Sequence, residues 1–209
     1  MTFTGAIGAA CKKLLVLIVR GLALSRIHPN VLTFIGLVIN VVAAWMLAMG
    51  QFRWGGAVII GAGLFDMVDG RVARETNRVT RFGGFFDSVL DRYSDLGLLV
   101  GMLVWYGSIN RPFYVVLTAL AMTGCVMVSY TRARAENSIP TCKVGFMERP
   151  ERVVLMIIGA LFDKMAPVLW VIAVLANWTV VHRMVFTWQE AKRLEDAQLR
   201  PAGVRAAGK

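Results

Sequence analysis

Two acidic stretches decide the fold and the chemistry of this chain. The first is Asp66-Met-Val-Asp69-Gly70-Arg-Val-Ala73-Arg74, and the second, after residues 75–82, is Gly83-Gly-Phe-Phe-Asp87-Ser-Val-Leu-Asp91. Both lie in strongly apolar surroundings, where an uncompensated carboxylate costs several kcal/mol. Four carboxylates at helical spacing, with small residues between them, most simply imply bound divalent cations.

Composition places these carboxylates in a membrane protein. The 209 residues are 57% apolar and 17% charged, with a mean hydropathy of +0.61, whereas soluble domains average about 45–50% apolar and about 25% charged residues. We find no internal repeat or linker, so we predict a single all-α integral membrane domain over residues 1–190. A basic cytoplasmic tail is expected over residues 191–209.

Hydropathy predicts seven helices in this domain. Residues 10–28 mix leucines with basic residues and are expected to form an amphipathic juxtamembrane helix. A bundle of six transmembrane helices is expected over residues 31–189, although the fifth is short for a span, which needs about 20 residues. The predicted spans are 31–50, 54–74, 82–106, 112–135, 150–163 and 166–189.

The basic residues orient these spans. Arg53, Arg111 and Lys164 fall in the first, third and fifth connections, and the rest of the 23 Lys and Arg lie near the other connections or the termini. The positive-inside rule then places both termini and the acidic site on the cytoplasmic side of the inner membrane. The net charge of +10 suits anionic lipids and phosphorylated metabolites. No nucleic-acid partner is expected, because the charge is divided among loops without a recognisable binding fold.

The acidic residues line one face of each of two helices. On the second span, steps of three, one, three and one align Asp66, Asp69, Gly70, Ala73 and Arg74. On the third span, steps of four align Gly83, Asp87, Asp91 and Asp95. The short connection predicts antiparallel neighbours whose acidic faces meet. Carboxylates suit magnesium, manganese or calcium, and the lack of nearby His or Cys argues against zinc.

Other interpretations of the acids are open at this point. The carboxylates could pair with nearby arginines, such as Arg71 or Arg92, in a structural ion network. Intramembrane carboxylates are also typical of proton- or cation-coupled transporters, although these commonly contain repeats. A membrane protein that binds lipid without turnover is a third possibility.

The pattern D-x2-D-G-x2-A-R-x8-G-x3-D-x3-D, from Asp66 to Asp91, resembles the signature of the CDP-alcohol phosphotransferase family. The resemblance covers about residues 10–190. It implies six transmembrane helices after a juxtamembrane helix, usually in a homodimer. The activity it implies is transfer of a phosphatidyl group from a CDP-linked lipid to an alcohol, with release of CMP.

The resemblance also assigns roles to individual residues. Two divalent cations, magnesium or manganese, would be held by Asp66, Asp69 and Asp87 with Asp91 nearby, and Asp91 would be the base that deprotonates the attacking hydroxyl. The CDP-lipid would be bound by Asn30, Thr33, Gly70, Ala73, Arg74 and Gly83.

The acceptor is predicted from basic residues elsewhere. Residues 130–136, 148–152 and 182–183 resemble the branch of the family that uses inositol phosphate. Four arginines can converge there on a phosphate dianion: Arg132, Arg149, Arg152 and Arg183. We therefore expect CDP-diacylglycerol and inositol 1-phosphate as substrates and phosphatidylinositol phosphate as product. Glycerol 3-phosphate, another phosphorylated polyol, stays open as the acceptor.

Overall fold

The computed structural model describes residues 29–75 and 80–199, with side chains over residues 30–66 and 80–197. Within these ranges the chain forms six helices and no strand, which confirms the all-α prediction. They are α1 (Pro29–Ala48), α2 (Phe52–Glu75), α3 (Arg81–Ser108), α4 (Pro112–Ala135), α5 (Arg149–Leu161) and α6 (Met165–Leu199). The predicted juxtamembrane helix over 10–28 lies outside the described residues, as does the end of the tail.

The helices form a bundle of hairpins. Tight turns join α1 to α2, α3 to α4 and α5 to α6, and the two helices of each pair pack together. Helices α1 and α3 are parallel, because Asn30 lies near Gly83 at one end and Ala44 lies against Gly101 at the other. A Cβ at Gly101 would stand 2.2 Å from the Ala44 carbonyl oxygen, so this glycine permits the close approach of the two backbones.

The two acid-bearing helices are linked through α1 and α5. Among the described residues, α1 packs against both α2 and α3, and α2 also packs against α5. Extensive direct packing of α2 on α3 is not found in this part of the chain. Since α1 is antiparallel to α2 and parallel to α3, the acid-bearing helices run in opposite directions, as predicted. The connection between them lies outside the described residues, and α5 brings a side chain to their acids.

The apolar core occupies the half of the bundle remote from the acids. Leu47, Met102 and Leu169 are fully buried there, with Ile59 and Ala121 beside them. Tyr106 stacks on Tyr114 at 4.8 Å between ring centroids, where α3 turns into α4. The core therefore fixes the far ends of the helices, and the polar residues collect at the opposite end.

Local signals set the ends of several helices. The Thr80 hydroxyl accepts a hydrogen bond from the Gly83 amide at 2.9 Å and caps α3. Pro112 stands in the first turn of α4, where its missing amide hydrogen costs nothing. The predicted range 112–135 for this span agrees with the structure.

The last helix is longer than predicted. Helix α6 continues to Leu199, beyond the predicted end of the last span at 189, so the first part of the expected tail is helical. The reason is tertiary: Phe186, Ala191 and Leu194 pack against a small core formed by Ala135, Ile139 and Cys142. This contact gives the 136–148 loop a support.

The helices are those of a membrane protein. Within the described part of the chain, three are long and apolar enough to cross a bilayer by length and composition: Asn30–Ala48, Pro112–Ala135 and Met165–Ala197. Helix α5, with 13 residues, is about 20 Å long, and α2 and α3 carry the charged site. Trp54 and Trp178 are 70% and 68% exposed, as expected for rings at a lipid-facing surface.

Candidate active site

Asp66 anchors the site at the later part of α2. Its side chain is about one quarter exposed, and a Cβ added at Gly36 would stand 2.9 Å from its Oδ1 atom. The carboxylate thus lies against the backbone of α1 at a position where a larger residue would push it away. This contact explains how α1 helps to place an acid of α2.

Arg149, the first residue of α5, joins the acids of two helices. Its Nη2 atom lies 2.7 Å from Asp66 Oδ2 and 3.0 Å from Asp91 Oδ1, and its Nε atom lies 3.5 Å from Asp95 Oδ1. Since one nitrogen contacts both Asp66 and Asp91, the two carboxylates face each other across a single cation. The prediction that the acidic faces of α2 and α3 come together is therefore confirmed for these two residues.

The donor set fits a divalent cation. Asp66 and Asp91 offer hard oxygen ligands on opposite sides of a gap that already holds a positive charge, which is the chemistry that magnesium and manganese require. Among the side chains described, no group of three His, Cys, Asp or Glu is close enough to hold a metal as it stands. Asp87 lies one turn before Asp91, and the side chain of Asp69 lies outside the described residues.

Two of the residues predicted to bind the CDP-lipid meet at the start of α1 and α3. A Cβ at Gly83 would stand 3.4 Å from Asn30 Oδ1 and 3.0 Å from the Thr80 hydroxyl. Thr33, one turn after Asn30, is buried. The side-chain positions of Ala73 and Arg74, and the surroundings of Gly70, lie outside the described part of the chain.

A cavity of about 410 Å³ opens beside Asp91. It lies between α3, α4, α5 and α6 at the acidic end of the bundle, and its size is typical of small-molecule sites. All four arginines predicted to bind the acceptor line it: Arg132, Arg149, Arg152 and Arg183. The structure therefore places the predicted base and the predicted phosphate-binding groups around one space.

Arg183 is the most deeply buried of the four arginines. Its side chain is 1% exposed, Nε donates to the Val144 carbonyl at 2.8 Å, and Nη1 donates to the Val128 carbonyl. Its Nη2 atom donates to Glu148 Oε1 at 2.7 Å. Arg183 thus ties the 136–148 loop to α4 and α6, with three of its five N–H groups in these bonds.

Arg132 shares the Glu148 carboxylate with Arg183. It lies 3.2 Å from Glu148 Oε1 and 3.2 Å from Glu136 Oε1, and its side chain is 38% exposed. Glu148 precedes α5 but makes no side-chain hydrogen bond to that helix; it orients the two arginines instead. Arg132 is therefore the arginine whose guanidinium can most easily turn toward a ligand.

Arg152 is held by Asp95. Its Nη2 atom donates to Asp95 Oδ2 at 2.5 Å and its Nη1 atom donates to the Met147 carbonyl at 3.2 Å. Only 6% of the Arg152 side chain and 9% of the Asp95 side chain are exposed. A pair this buried is strongly coupled, because removing one partner strands the other charge.

Three residues were not predicted from the sequence to be part of the site: Gly36, Asp95 and Glu148. Asp95 continues the four-residue spacing of Asp87 and Asp91, so its place on the acidic face was visible, but its arginine partners were not. Gly36 lies three residues after Thr33 on α1, a helical spacing that could have suggested it. Nothing in the sequence indicates that Glu148 holds Arg132 and Arg183 together.

The comparisons with known proteins identify the family of this chain. Residues 26–189 match the family model of the CDP-alcohol phosphatidyltransferases. The chain belongs to this family. It is therefore a membrane enzyme that transfers a phosphatidyl-type group, and the predicted resemblance is confirmed.

Relatives within the family point to one branch. The chain is 36% identical over 168 residues to the archaetidylinositol phosphate synthase of Methanothermobacter thermautotrophicus, covering 77% of this chain and 83% of the relative. It is 35% identical over 192 residues to the phosphatidylinositol phosphate synthase of Mycobacterium tuberculosis, covering 86% and 88%.

Solved structures of the Mycobacterium tuberculosis enzyme share the fold. The structure with bound CDP-DAG has a TM-score of 0.79 at 32% identity, covering 84% of this chain and 94% of that one. The structure in complex with manganese and citrate has a TM-score of 0.77 at 33% identity, covering 83% and 88%.

Proposed function

We propose that this enzyme transfers the phosphatidyl group of CDP-diacylglycerol to inositol 1-phosphate and releases CMP. The observation that carries the proposal is the shared cavity, in which Asp91 and four arginines face the same space. A cluster of this charge suits a phosphate dianion and exceeds what a neutral alcohol needs. The relatives named as inositol phosphate synthases support the same acceptor.

In the proposed reaction, Asp91 accepts the proton of the acceptor hydroxyl. The hydroxyl oxygen then forms a bond to the lipid phosphorus, and the bond from that phosphorus to the oxygen of CMP breaks, so CMP leaves with the electron pair. Asp91 lies on the wall of the acceptor cavity and faces Asp66 across Arg149. It is therefore close to both the acceptor and the lipid phosphates in this arrangement.

The acids are proposed to hold two divalent cations, magnesium or manganese. Asp66, Asp69, Asp87 and Asp91 would be the ligands, and the cations would neutralise the diphosphate and the charge that develops on the leaving group. The oxygen donors of Asp66 and Asp91 support the assignment, since they already share a cation in the form of Arg149.

The acceptor phosphate is proposed to bind between the arginines of the cavity. Arg132 and Arg149 would donate to it directly, because their side chains are 38% and 29% exposed. Arg152 and Arg183 would add charge at the buried wall, where their bonds to Asp95 and Glu148 fix their positions. The CDP moiety would lie near Asn30, Thr33, Gly70, Ala73, Arg74 and Gly83.

We also propose the membrane arrangement that this chemistry requires. All six helices would cross the inner membrane as one domain, with a juxtamembrane helix before them and both termini in the cytoplasm. The chain would act as a homodimer, as the resemblance implies. The acidic end of the bundle would then face the soluble acceptor while the lipid enters from the bilayer.

An acceptor panel tests the proposal. Purified enzyme in detergent with manganese and CDP-diacylglycerol is offered inositol 1-phosphate, glycerol 3-phosphate, free inositol or no acceptor, and CMP is measured. We expect CMP only with inositol 1-phosphate, and none after chelation of the metal. Preferential use of glycerol 3-phosphate would overturn the assignment of inositol 1-phosphate as the acceptor. If no acceptor led to CMP release, the proposed activity itself would be wrong.

A further inference from the structure

Arg149 separates two cavities of different character. One is the polar cavity beside Asp91, and the other is a cavity of about 450 Å³ lined mainly by apolar residues of α2 and α5, among them Ile60, Leu64 and Val154. Arg149, Asp95 and Pro150 line both. The Arg149 side chain therefore stands in the wall between the space open to a soluble ligand and the space that suits lipid.

The same side chain already contacts the acids proposed as metal ligands. Its Nη2 atom lies within 3.0 Å of both Asp66 Oδ2 and Asp91 Oδ1. The other oxygen of Asp66 lies against α1 at Gly36, so Oδ2 is the oxygen that can turn to a ligand. A guanidinium and a divalent cation that share these oxygens also repel each other at short range.

Arg149 also has a third carboxylate, that of Asp95, within reach. Its Nε atom lies 3.5 Å from Asp95 Oδ1 and has no hydrogen bond among the described residues. Asp95 lies on the wall of the acceptor cavity, next to Arg152. A small rotation of the guanidinium toward Asp95 would move its charge from the acids into that cavity.

We propose that Arg149 is an exchangeable counter-ion that couples the two halves of the site. When a divalent cation takes Asp66 and Asp91, Arg149 gives up these carboxylates, keeps Asp95 as its counter-ion and donates to the acceptor phosphate. This inference rests on the proposed function and adds that metal binding assembles the acceptor site.

The test is the affinity for manganese, measured without lipid or acceptor by the free-ion resonance signal. We expect Arg149→Gln to bind manganese about tenfold more tightly than the unmodified enzyme, because a charged competitor is gone. Arg132→Gln is the matched control, since it removes the same charge from the same cavity without touching Asp66 or Asp91. It should gain no more than about twofold.

Arg149→Lys supplies a second variant that keeps the charge. A lysine cannot reproduce the guanidinium fork, so its gain in manganese affinity should be intermediate. If Arg149→Gln does not fold, this variant decides the question. Manganese affinity equal to or below that of the unmodified enzyme in the folded Arg149 variants would overturn the inference, as would equal gains in Arg149→Gln and Arg132→Gln.

Acceptor binding gives an independent readout. Labelled inositol 1-phosphate should bind the unmodified enzyme at least about fivefold more tightly with manganese than without it, whereas Arg149→Gln should bind weakly in both conditions. Metal-independent acceptor binding by the unmodified enzyme would overturn the coupling. If Arg149→Gln shows the expected gain in manganese affinity but the unmodified enzyme releases no CMP, the proposed function alone is overturned.

Discussion

At the residue scale, the role of Asp91 can be tested most directly by substitution. It faces Asp66 across Arg149 and also lines the acceptor cavity. We predict that Asp91→Asn lowers CMP release by roughly 10²–10⁴-fold, the range for loss of a general base. CDP-diacylglycerol should still bind, because the other acids are intact.

Lipid binding and CMP release must be measured on the same sample of this variant. If Asp91→Asn turned over at the rate of the unmodified enzyme, Asp91 would not be the base. If Asp91→Asn lost both lipid binding and turnover, Asp91 would instead belong to the groups that hold the nucleotide.

Arg132 and its neighbour Arg134 provide a matched pair at the same scale. We predict that Arg132→Gln raises the KM for inositol 1-phosphate about tenfold, the value of one hydrogen bond to a charged group, and leaves the KM for CDP-diacylglycerol unchanged. Arg134→Gln removes an equal charge from an exposed position outside the cavity and should leave both constants unchanged.

Equal effects of the two substitutions would show that the cavity arginines act only through net charge. A rise in the KM for lipid that matches the rise for acceptor would move Arg132 out of the acceptor site. Steady-state rates of CMP release, with each substrate varied in turn, give both constants.

The identities of the acids could be predicted from sequence, but their partners could not. The spacing of Asp66, Asp87 and Asp91 fixes the helix face on which each lies. The contacts of Arg149 and Arg183 depend on residues far away in the chain, such as Asp66 and Val128. No periodic pattern encodes such long-range pairing, so these roles required the structure.

At the element scale, Gly36 on α1 controls the position of an acid on α2. A Cβ there would stand 2.9 Å from Asp66 Oδ1, and an error of about 1 Å in a reacting group can cost about 100-fold in rate. We predict that Gly36→Ala lowers CMP release at least about tenfold and weakens manganese binding. Thermal unfolding should not occur earlier, because alanine favours a helix by about 1 kcal/mol over glycine.

Gly61→Ala is the control for this substitution. A Cβ at Gly61, also within a helix, meets nothing within 4 Å, so activity and metal affinity should be unchanged. Normal activity of Gly36→Ala would show that Asp66 relaxes freely and that α1 does not position it.

Element boundaries were predictable where the local chemistry decides them. Pro112 and the turn before it fix the start of α4, and the predicted span agrees with the helix. The end of α6 was not predictable, because Phe186 and Leu194 find partners on the 136–148 loop. Likewise, the close packing of α1 on α3 depends on Gly101, whose role is visible only when the helices are assembled.

At the scale of the whole molecule, the distribution of charge predicts the orientation in the membrane. Arg111 lies in the α3–α4 turn, and Lys143 lies in the loop before α5 at the opposite end of the bundle. Both side chains are exposed. With the native cysteines replaced, we predict that an impermeant maleimide labels Arg111→Cys in intact cells and Lys143→Cys only after permeabilisation.

The converse labelling pattern would place the acidic end of the bundle outside the cytoplasm. The site would then lie on the opposite side of the membrane from the cytosol. It could not reach a phosphorylated acceptor or a CDP-lipid headgroup on the cytosolic side. The positive-inside argument would then be wrong for this chain, although the membrane fold would stand.

The activity as a whole is tested most directly by its products. The enzyme is incubated with manganese, CDP-diacylglycerol and inositol 1-phosphate, and CMP and the new lipid are quantified together, the lipid by its mass. We predict one CMP for each phosphatidylinositol phosphate formed, and neither product when the metal, the lipid or the acceptor is omitted. Release of CMP without that lipid, or no CMP in the complete mixture, would contradict the proposed transfer.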